Sequence, residues 1–257
     1  MGTRPEALKM VPVIYELKKK KIRIKLCLTG QHREMLDQVT GYFRLRADYD
    51  LDVMKKNQGL KDVTLAVLDA MHDLLGKTKP SLVLVQGDTI SAFASALAAF
   101  YHKIKIGHVE AGLRSHDIYS PYPEEASRKF ISTLADFHFA PTKHAKENLL
   151  SEGIDAKKIW ITGNTIIDTV KMILSRHKKD KVNLFGPLSR NHRPYILITA
   201  HRRENFGKGL ENICEAVREL SILYPGYRFI FQVHPNPNVR LVIKRELKKA
   251  EKNISLI

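Results

Sequence analysis

The sequence predicts an α/β protein built on parallel sheets, and two observations carry that prediction. Short apolar runs alternate with longer segments of helical periodicity, and the alternation halts at a polar stretch near residue 180 before starting again. Strand–helix–strand units produce this rhythm, because parallel strands cannot be joined by a hairpin and need a crossover helix.

The chain opens with Met-Gly-Thr-Arg-Pro-Glu, a loop where a strand should precede the first helix, so a first strand is expected to be missing. Ala7, Met10, Val11, Ile14 and Leu17 then form a helical stripe, with Pro5 suited to the first turn and Pro12 expected to kink or restart the helix. Strands are expected over Ile22–Leu28, Ser81–Val85, Ile104–Val109, Phe137–Ala140 and Ile159–Thr162. Leu60, Val67, Met71, Leu74 and Leu75 mark another helix, Thr89–Tyr101 a further one, and an apolar-periodic segment follows Asn164. The polar stretch RHKKDKVNLFGPLSRNHRP, with its Gly-Pro break, reads as a connector. Beyond it come a strand over Tyr195–Thr199, a helix over Leu210–Leu223, a strand over Tyr227–Val233, a helix over Val239–Lys252, and an element begun at Ile254. The expected organisation is a first domain over 1–165, a connector over 166–193 and an incomplete second domain over 194–257.

A chain of 257 residues with 44% hydrophobic content can bury a sizeable core. Its net charge of +16 suits three kinds of anionic partner: nucleic acid, acidic lipid or a phosphorylated small molecule. The lysine runs Lys18 to Lys21, Lys55-Lys56 and Lys244 to Lys252 read as solvated helix faces. Arginines are not interleaved with aromatics and no zinc-finger spacing occurs, so nucleic acid is not the expected partner. No apolar run nears the roughly 20 residues of a membrane span, and no signal-peptide pattern opens the chain, so a cytoplasmic protein without a membrane partner is expected. Two distant cysteines, Cys27 and Cys214, are too few for a disulfide framework.

In an open parallel sheet the ligand binds past the carboxyl ends of the strands, which gives priority to the residues found there. Five expected strands run into Thr29-Gly30-Gln31-His32, Gln86-Gly87-Asp88, His108-Val109-Glu110-Ala111-Gly112, His201-Arg202-Arg203-Glu204 and His234-Pro235-Asn236-Pro237. Carboxylates, histidines and arginines thus gather on one edge of two sheets, which suggests a cleft between domains. Arg4 and Lys9 would add positive charge suited to a diphosphate. Asp88 reads either as the N-cap of the helix over Thr89–Tyr101 or, preferably, as a ligand-facing carboxylate. Glu124 and Glu125 follow Pro123 at a helix start; for Glu125 a structural role, pairing with Lys129 four residues on, is preferred, and for Glu124 the structural and functional readings stay open. His201 reads as a cap, a core histidine or a site residue. There is neither a GxGxxG after a strand nor a GxxxxGK[ST], and no His/Cys metal spacing, so no cofactor and no metal are expected.

The segments GTRPEALKMVPV, LTGQHREMLDQV, VLVQGDT, GHVEAGLRS, YSPYPEEASR, ITGNTIID, AHRRENFGKG and VHPNPNVR resemble, in order and spacing, the non-hydrolysing UDP-N-acetylglucosamine 2-epimerases. The resemblance implies two Rossmann-like domains in a glycosyltransferase-B-like arrangement, a homodimer, and interconversion of UDP-GlcNAc and UDP-ManNAc by elimination and re-addition of UDP through 2-acetamidoglucal. It implies Asp88, Glu110 and Glu124 as acid-base groups, His201 beside the diphosphate, and Arg4, Lys9, Arg114 and Arg202 as substrate-binding residues. Gln31, His32, Gln58 and His234 match a second, regulatory site. Lys56-Asn57-Gln58 departs from the Arg-Gln expected of regulated members, and Gln86 stands where His is expected before Gly-Asp. Members also begin with a strand before GTRPE and continue past residue 257, so the chain is expected to be a fragment. A hydrolysing epimerase, a glycosyltransferase and a nucleotide-sugar binding module without turnover are the competing readings.

Overall fold

Helix α1 (Arg4–Lys19) starts where its own side chains satisfy its first amides. Thr3 Oγ1 accepts from the Glu6 amide, while the Glu6 carboxylate takes the Gly2 amide at 2.8 Å and the Thr3 hydroxyl at 3.1 Å. The helix then runs through Pro12 without the expected restart. Pro12 has no N–H to give the Leu8 carbonyl four residues back. That carbonyl accepts instead from the Thr169 hydroxyl of a later helix, which removes the penalty of an unmade bond.

The computed structural model describes residues 1–30, 33–53, 58–180, 193–200, 205–234, 236–247 and 252–257, in two units, Met1–Asp180 and Lys181–Ile257. In the first, β1 (Cys27–Leu28), α2 (Arg33–Tyr42) and β2 (Tyr49–Asp50) make a small parallel pair. The strand expected from Ile22 is therefore confined to its last two residues. Ile22 is 49% exposed, and the Leu26 amide bonds to the Asp48 carboxylate at 2.9 Å rather than to a strand. Met1 lies beside β1, its amine on the Cys27 carbonyl and its carbonyl on the Thr29 amide.

The larger sheet follows from α3 (Leu60–Thr78), β3 (Leu82–Gln86), α4 (Ile90–Tyr101), β4 (Lys105–Val109), α5 (Glu124–Leu134), β5 (Phe137–Ala140), α6 (Lys143–Ser151), β6 (Ile159–Ile161) and α7 (Ile166–Asp180). Its strands are parallel in the order β3-β4-β5-β6. Val63, Val67, Met71 and Leu75 give α3 a buried face at i, i+4 spacing, whereas Leu60, at the helix start, is exposed. Five buried alanines of α4 let the flanking helices α3 and α5 approach closely. Helix α7, whose residues the sequence placed in the connector, packs on α1, and its Arg176 bonds the Tyr42 carbonyl and the Tyr15 hydroxyl.

The second unit repeats the scheme with β7 (Tyr195–Thr199), α8 (Lys208–Leu223), β8 (Arg228–Gln232), α9 (Pro237–Leu247) and β9 (Ile254–Leu256), all parallel in the order β7-β8-β9. Leu210, Cys214, Val217, Phe229, Phe231, Val239 and Ile243 fill its core. Both units thus have the α/β class expected from the sequence rhythm. No helix among the described residues is long and apolar enough to cross a membrane.

Gly112 controls how closely α6 can approach the end of β4. Its φ is +87°, and a β-carbon there would lie 2.1 Å from the Ala145 carbonyl oxygen, inside any allowed contact. Gly112→Ala is therefore expected to destabilise the first unit by about 2 kcal/mol or more. Urea unfolding should show a lower midpoint at an unchanged slope.

Candidate active site

The carboxyl edge of the larger sheet is where the first unit collects its acidic groups. Asp88 follows β3, Glu110 follows β4, and Glu124 opens α5. Asp88 is not a helix cap: Thr89 caps α4 by accepting from the Ala92 amide, and the Thr89 hydroxyl in turn donates to Glu6 at 2.8 Å. Glu6 thereby joins the start of α1 to the start of α4, and the residue is 4% exposed. The sequence reading passed over Glu6, although the T-x-x-E spacing of a capping box was there to be found.

Asp88 ion-pairs with Arg128 at 2.6 Å, and the same guanidinium reaches the buried Glu125 at 3.5 Å. The Ser115 amide donates to the same Glu125 oxygen, Oε2, at 3.0 Å. Arg128 is the residue of this site that sequence reasoning missed. It lies one turn beyond Glu125 on α5, so the i, i+3 spacing was its only signal. Burial raises the Asp88 carboxyl above the ordinary aspartate range; Arg128 works against that shift, and the neighbouring Glu124 and Glu110 carboxylates add to it. A carboxyl so placed holds its proton to higher pH than an ordinary aspartate, which suits a proton-transfer role.

Glu110 sits on a non-glycine backbone with φ +67°, a left-handed conformation that only a well-braced loop sustains. Lys9 Nζ approaches its Oε1 at 2.6 Å and Gln86 Nε2 donates to the same oxygen at 3.2 Å. Behind them, His108 is fully buried and donates from Nε2 to the Gly87 carbonyl at 2.7 Å, holding the loop that carries Asp88. Burial depresses His108 to about 3 and its strand neighbour His138 to about 4, so both are neutral imidazoles.

Of the remaining expected residues, Arg4 is exposed at the start of α1. Arg114 is held elsewhere: its guanidinium grips Glu152 at 2.8 and 2.6 Å and bonds Ser132 Oγ at 3.0 Å. That pair keeps the Glu152 carboxyl below its ordinary range and ties the loop after β4 to the end of α6. Gln58 donates to the Val53 carbonyl at 3.3 Å, and His234 Nδ1 accepts from the Asn236 amide at 3.1 Å. His201, Arg202, Gln31 and His32 lie outside the described residues. Among the described residues no group of three His, Cys, Asp or Glu side chains is arranged to hold a metal ion.

A family model described as UDP-N-acetylglucosamine 2-epimerase matches residues 15–257 of the chain. Among curated proteins, the chain is 49% identical over 261 residues to the UDP-N-acetylglucosamine 2-epimerase of Neisseria meningitidis serogroup A, spanning all of this chain and 70% of that protein. It is 44% identical over 262 residues to the enzyme of the same name from Escherichia coli K12, spanning 69% of it. Among solved structures, it resembles the Neisseria meningitidis UDP-GlcNAc 2-epimerase bound to UDP-GlcNAc, with a TM-score of 0.92 at 49% identity over all of this chain and 70% of that one. It also resembles the Methanocaldococcus jannaschii UDP-GlcNAc 2-epimerase in complex with UDP-GlcNAc and UDP, with a TM-score of 0.78 at 35% identity over all of this chain and 71% of that one. The chain thus spans about 70% of the length of these relatives.

Two outcomes follow from this electrostatic arrangement. Removing the Arg128 charge leaves the burial of Asp88 unopposed, so in Arg128→Gln the limb of the pH–rate profile that disappears in Asp88→Asn should move to higher pH. The buried imidazoles act on stability. Unfolded, they bind protons near the ordinary histidine value of about 6.5, but in the fold only near 3 and 4. The unfolded state therefore holds more protons over that window, and stability should fall as pH drops below about 6.5. Urea midpoints measured from pH 7 to pH 5 should decline, and less steeply in His108→Gln.

Proposed function

We propose, starting from the fact that this chain belongs to the UDP-N-acetylglucosamine 2-epimerase family, that Asp88, Glu110 and Glu124 move the protons in a reversible inversion at C2 of UDP-GlcNAc that yields UDP-ManNAc. The observation that carries this reading is the meeting of Asp88, Glu110 and Glu124 at one sheet edge, close enough for the latter two to raise the proton affinity of Asp88. The C2 hydrogen has no adjacent carbonyl to acidify it, so its removal must be coupled to the loss of a leaving group. A carboxylate takes the C2 proton, the C–H electron pair becomes the C1–C2 double bond of 2-acetamidoglucal, and the C1–O bond breaks to release UDP. Return of a proton to the opposite face of C2, with attack of the UDP oxygen on C1, completes the inversion. A proton is removed from one face and delivered to the other, which is why more than one carboxyl group is required.

Lys9, already an ion-pair partner of Glu110, and Arg4 supply positive charge for the departing diphosphate. His201 and Arg202 are proposed as diphosphate-binding residues. Arg114 enters through the loop after β4, which its Glu152 pair holds in place. The proposal includes a cytoplasmic homodimer. Exposed Phe100, Tyr101 and Phe130 on α4 and α5 offer apolar area for self-association, and the two free cysteines suit a reducing compartment.

Proton NMR of UDP-GlcNAc incubated with the full-length protein in D2O tests the reading. UDP-ManNAc carrying deuterium at C2 is the expected product. Free ManNAc with UDP would instead mark a hydrolysing enzyme, and an unchanged spectrum a binding protein. Asp88→Asn, Glu110→Gln and Glu124→Gln should each lower kcat by about 100-fold or more with a much smaller effect on affinity. Wild-type rates in all three would remove the proposed site.

A further inference from the structure

The two oxygens of the Glu110 carboxylate have different surroundings. Oε1 receives both the Lys9 ammonium at 2.6 Å and the Gln86 amide at 3.2 Å. Oε2 is shielded from solvent and has no hydrogen-bond partner among the described residues. A buried carboxylate oxygen left without a donor is costly, and such groups are uncommon in folded proteins. The asymmetry is fixed by the fold. Gln86 ends β3 in register with Val109, so its side chain lies beside the next residue of the neighbouring strand. It is 4% exposed and closely enclosed. The left-handed backbone at Glu110 brings Oε1 to those two donors.

We propose that Gln86 is a positioning residue for the epimerisation: together with Lys9 it pins Oε1 of Glu110 and so fixes the orientation of that carboxylate. This rests on the reading of Glu110 as a proton carrier. Two donors on Oε1 stabilise the negative charge there and hold the carboxylate against rotation. A carboxylate held in a single orientation is how a proton-transfer geometry is kept within reach of the substrate. An amide suits this task because its N–H donors are present at every pH at which the protein folds, whereas an imidazole in the same place gains and loses a proton as it titrates.

The test compares Gln86→Met, Gln86→His and Gln86→Glu in the full-length protein, by kcat, KM, the rate of deuterium entry at C2 from D2O, and thermal unfolding. Gln86→Met keeps the side-chain shape and removes the donor. It should keep its melting temperature and a KM within about 2-fold, while kcat and deuterium entry fall together by about 10-fold or more. Gln86→His restores a donor and should recover most of that loss. Gln86→Glu sets a second carboxyl against the first and should fall below Gln86→Met. Gln86→Met with wild-type kcat and deuterium entry overturns the proposal, as does a loss confined to KM. If Gln86→Met does not fold, the His and Glu variants decide, and equal rates for the two overturn it. Glu110→Gln separates this proposal from the reading beneath it. Full activity in Glu110→Gln removes Glu110 as a proton carrier, whereas an inactive Glu110→Gln beside an unimpaired Gln86→Met removes only the role of Gln86.

Discussion

Carboxylates withdrawn from water along one sheet edge set the terms for the rest of the first unit. Glu6, Glu110 and Glu125 are nearly or fully buried, and Asp88 is largely so. An ionised group moved into the interior loses hydration that only a paired charge or several donors can replace, and deleting one partner of such a pair costs about 3–5 kcal/mol. Each of these carboxylates accordingly draws at least part of its compensation from outside its own element. Glu6 is served by the cap of α1 and by Thr89 of α4, Glu110 by Lys9 of α1 and Gln86 of β3, Glu125 by the Ser115 amide and Arg128, and Asp88 by Arg128 of α5. The elements of the unit are therefore bound to one another through the groups proposed to do the chemistry.

The same arrangement explains why these groups keep distinct characters within one small region. Arg128 is shared between Asp88 and Glu125, so it offsets only part of the cost of burying Asp88, whose proton affinity stays raised. Glu110 is anchored through one oxygen and, among the described residues, bare at the other. The supporting layer is neutral, because burial discharges His108 and His138, and a neutral imidazole holds the Gly87 carbonyl without adding a charge beside the carboxylates. Backbone with positive φ at Gly87, Glu110 and Gly112 lets the chain turn sharply off the strand ends, bringing those side chains to the edge.

Much of the fold was legible because short apolar runs mark strands and helices with one buried face leave periodic apolar signals. The strands over Leu82–Gln86, Lys105–Val109, Phe137–Ala140 and Tyr195–Thr199 fall within a residue of their expected bounds. The exceptions have tertiary causes. The strand expected from Ile22 shrank to Cys27–Leu28 because an apolar run makes a strand only where a neighbour offers a ladder, and the strand that pairs with it, Tyr49–Asp50, is two residues long. Pro12 did not interrupt α1 because a hydroxyl 157 residues later in the chain, on Thr169, meets the carbonyl that proline leaves unserved. Neither partner could be found from local pattern.

The sequence by itself determined the α/β class, the placing of Asp88, Glu110 and Glu124 at strand and helix ends, and, through its motifs, the family. These are properties of short segments: a period, a cap, a run of eight or ten residues in order. Only the tertiary structure decided which side chains those carboxylates meet. It put Arg128 on Asp88, gave Oε1 of Glu110 to Lys9 and Gln86, and took Arg114 to Glu152. The reason is physical. Ion pairs and hydrogen bonds are set by distances of a few ångströms between groups on different elements, and those distances exist only after the sheet and its helices have packed.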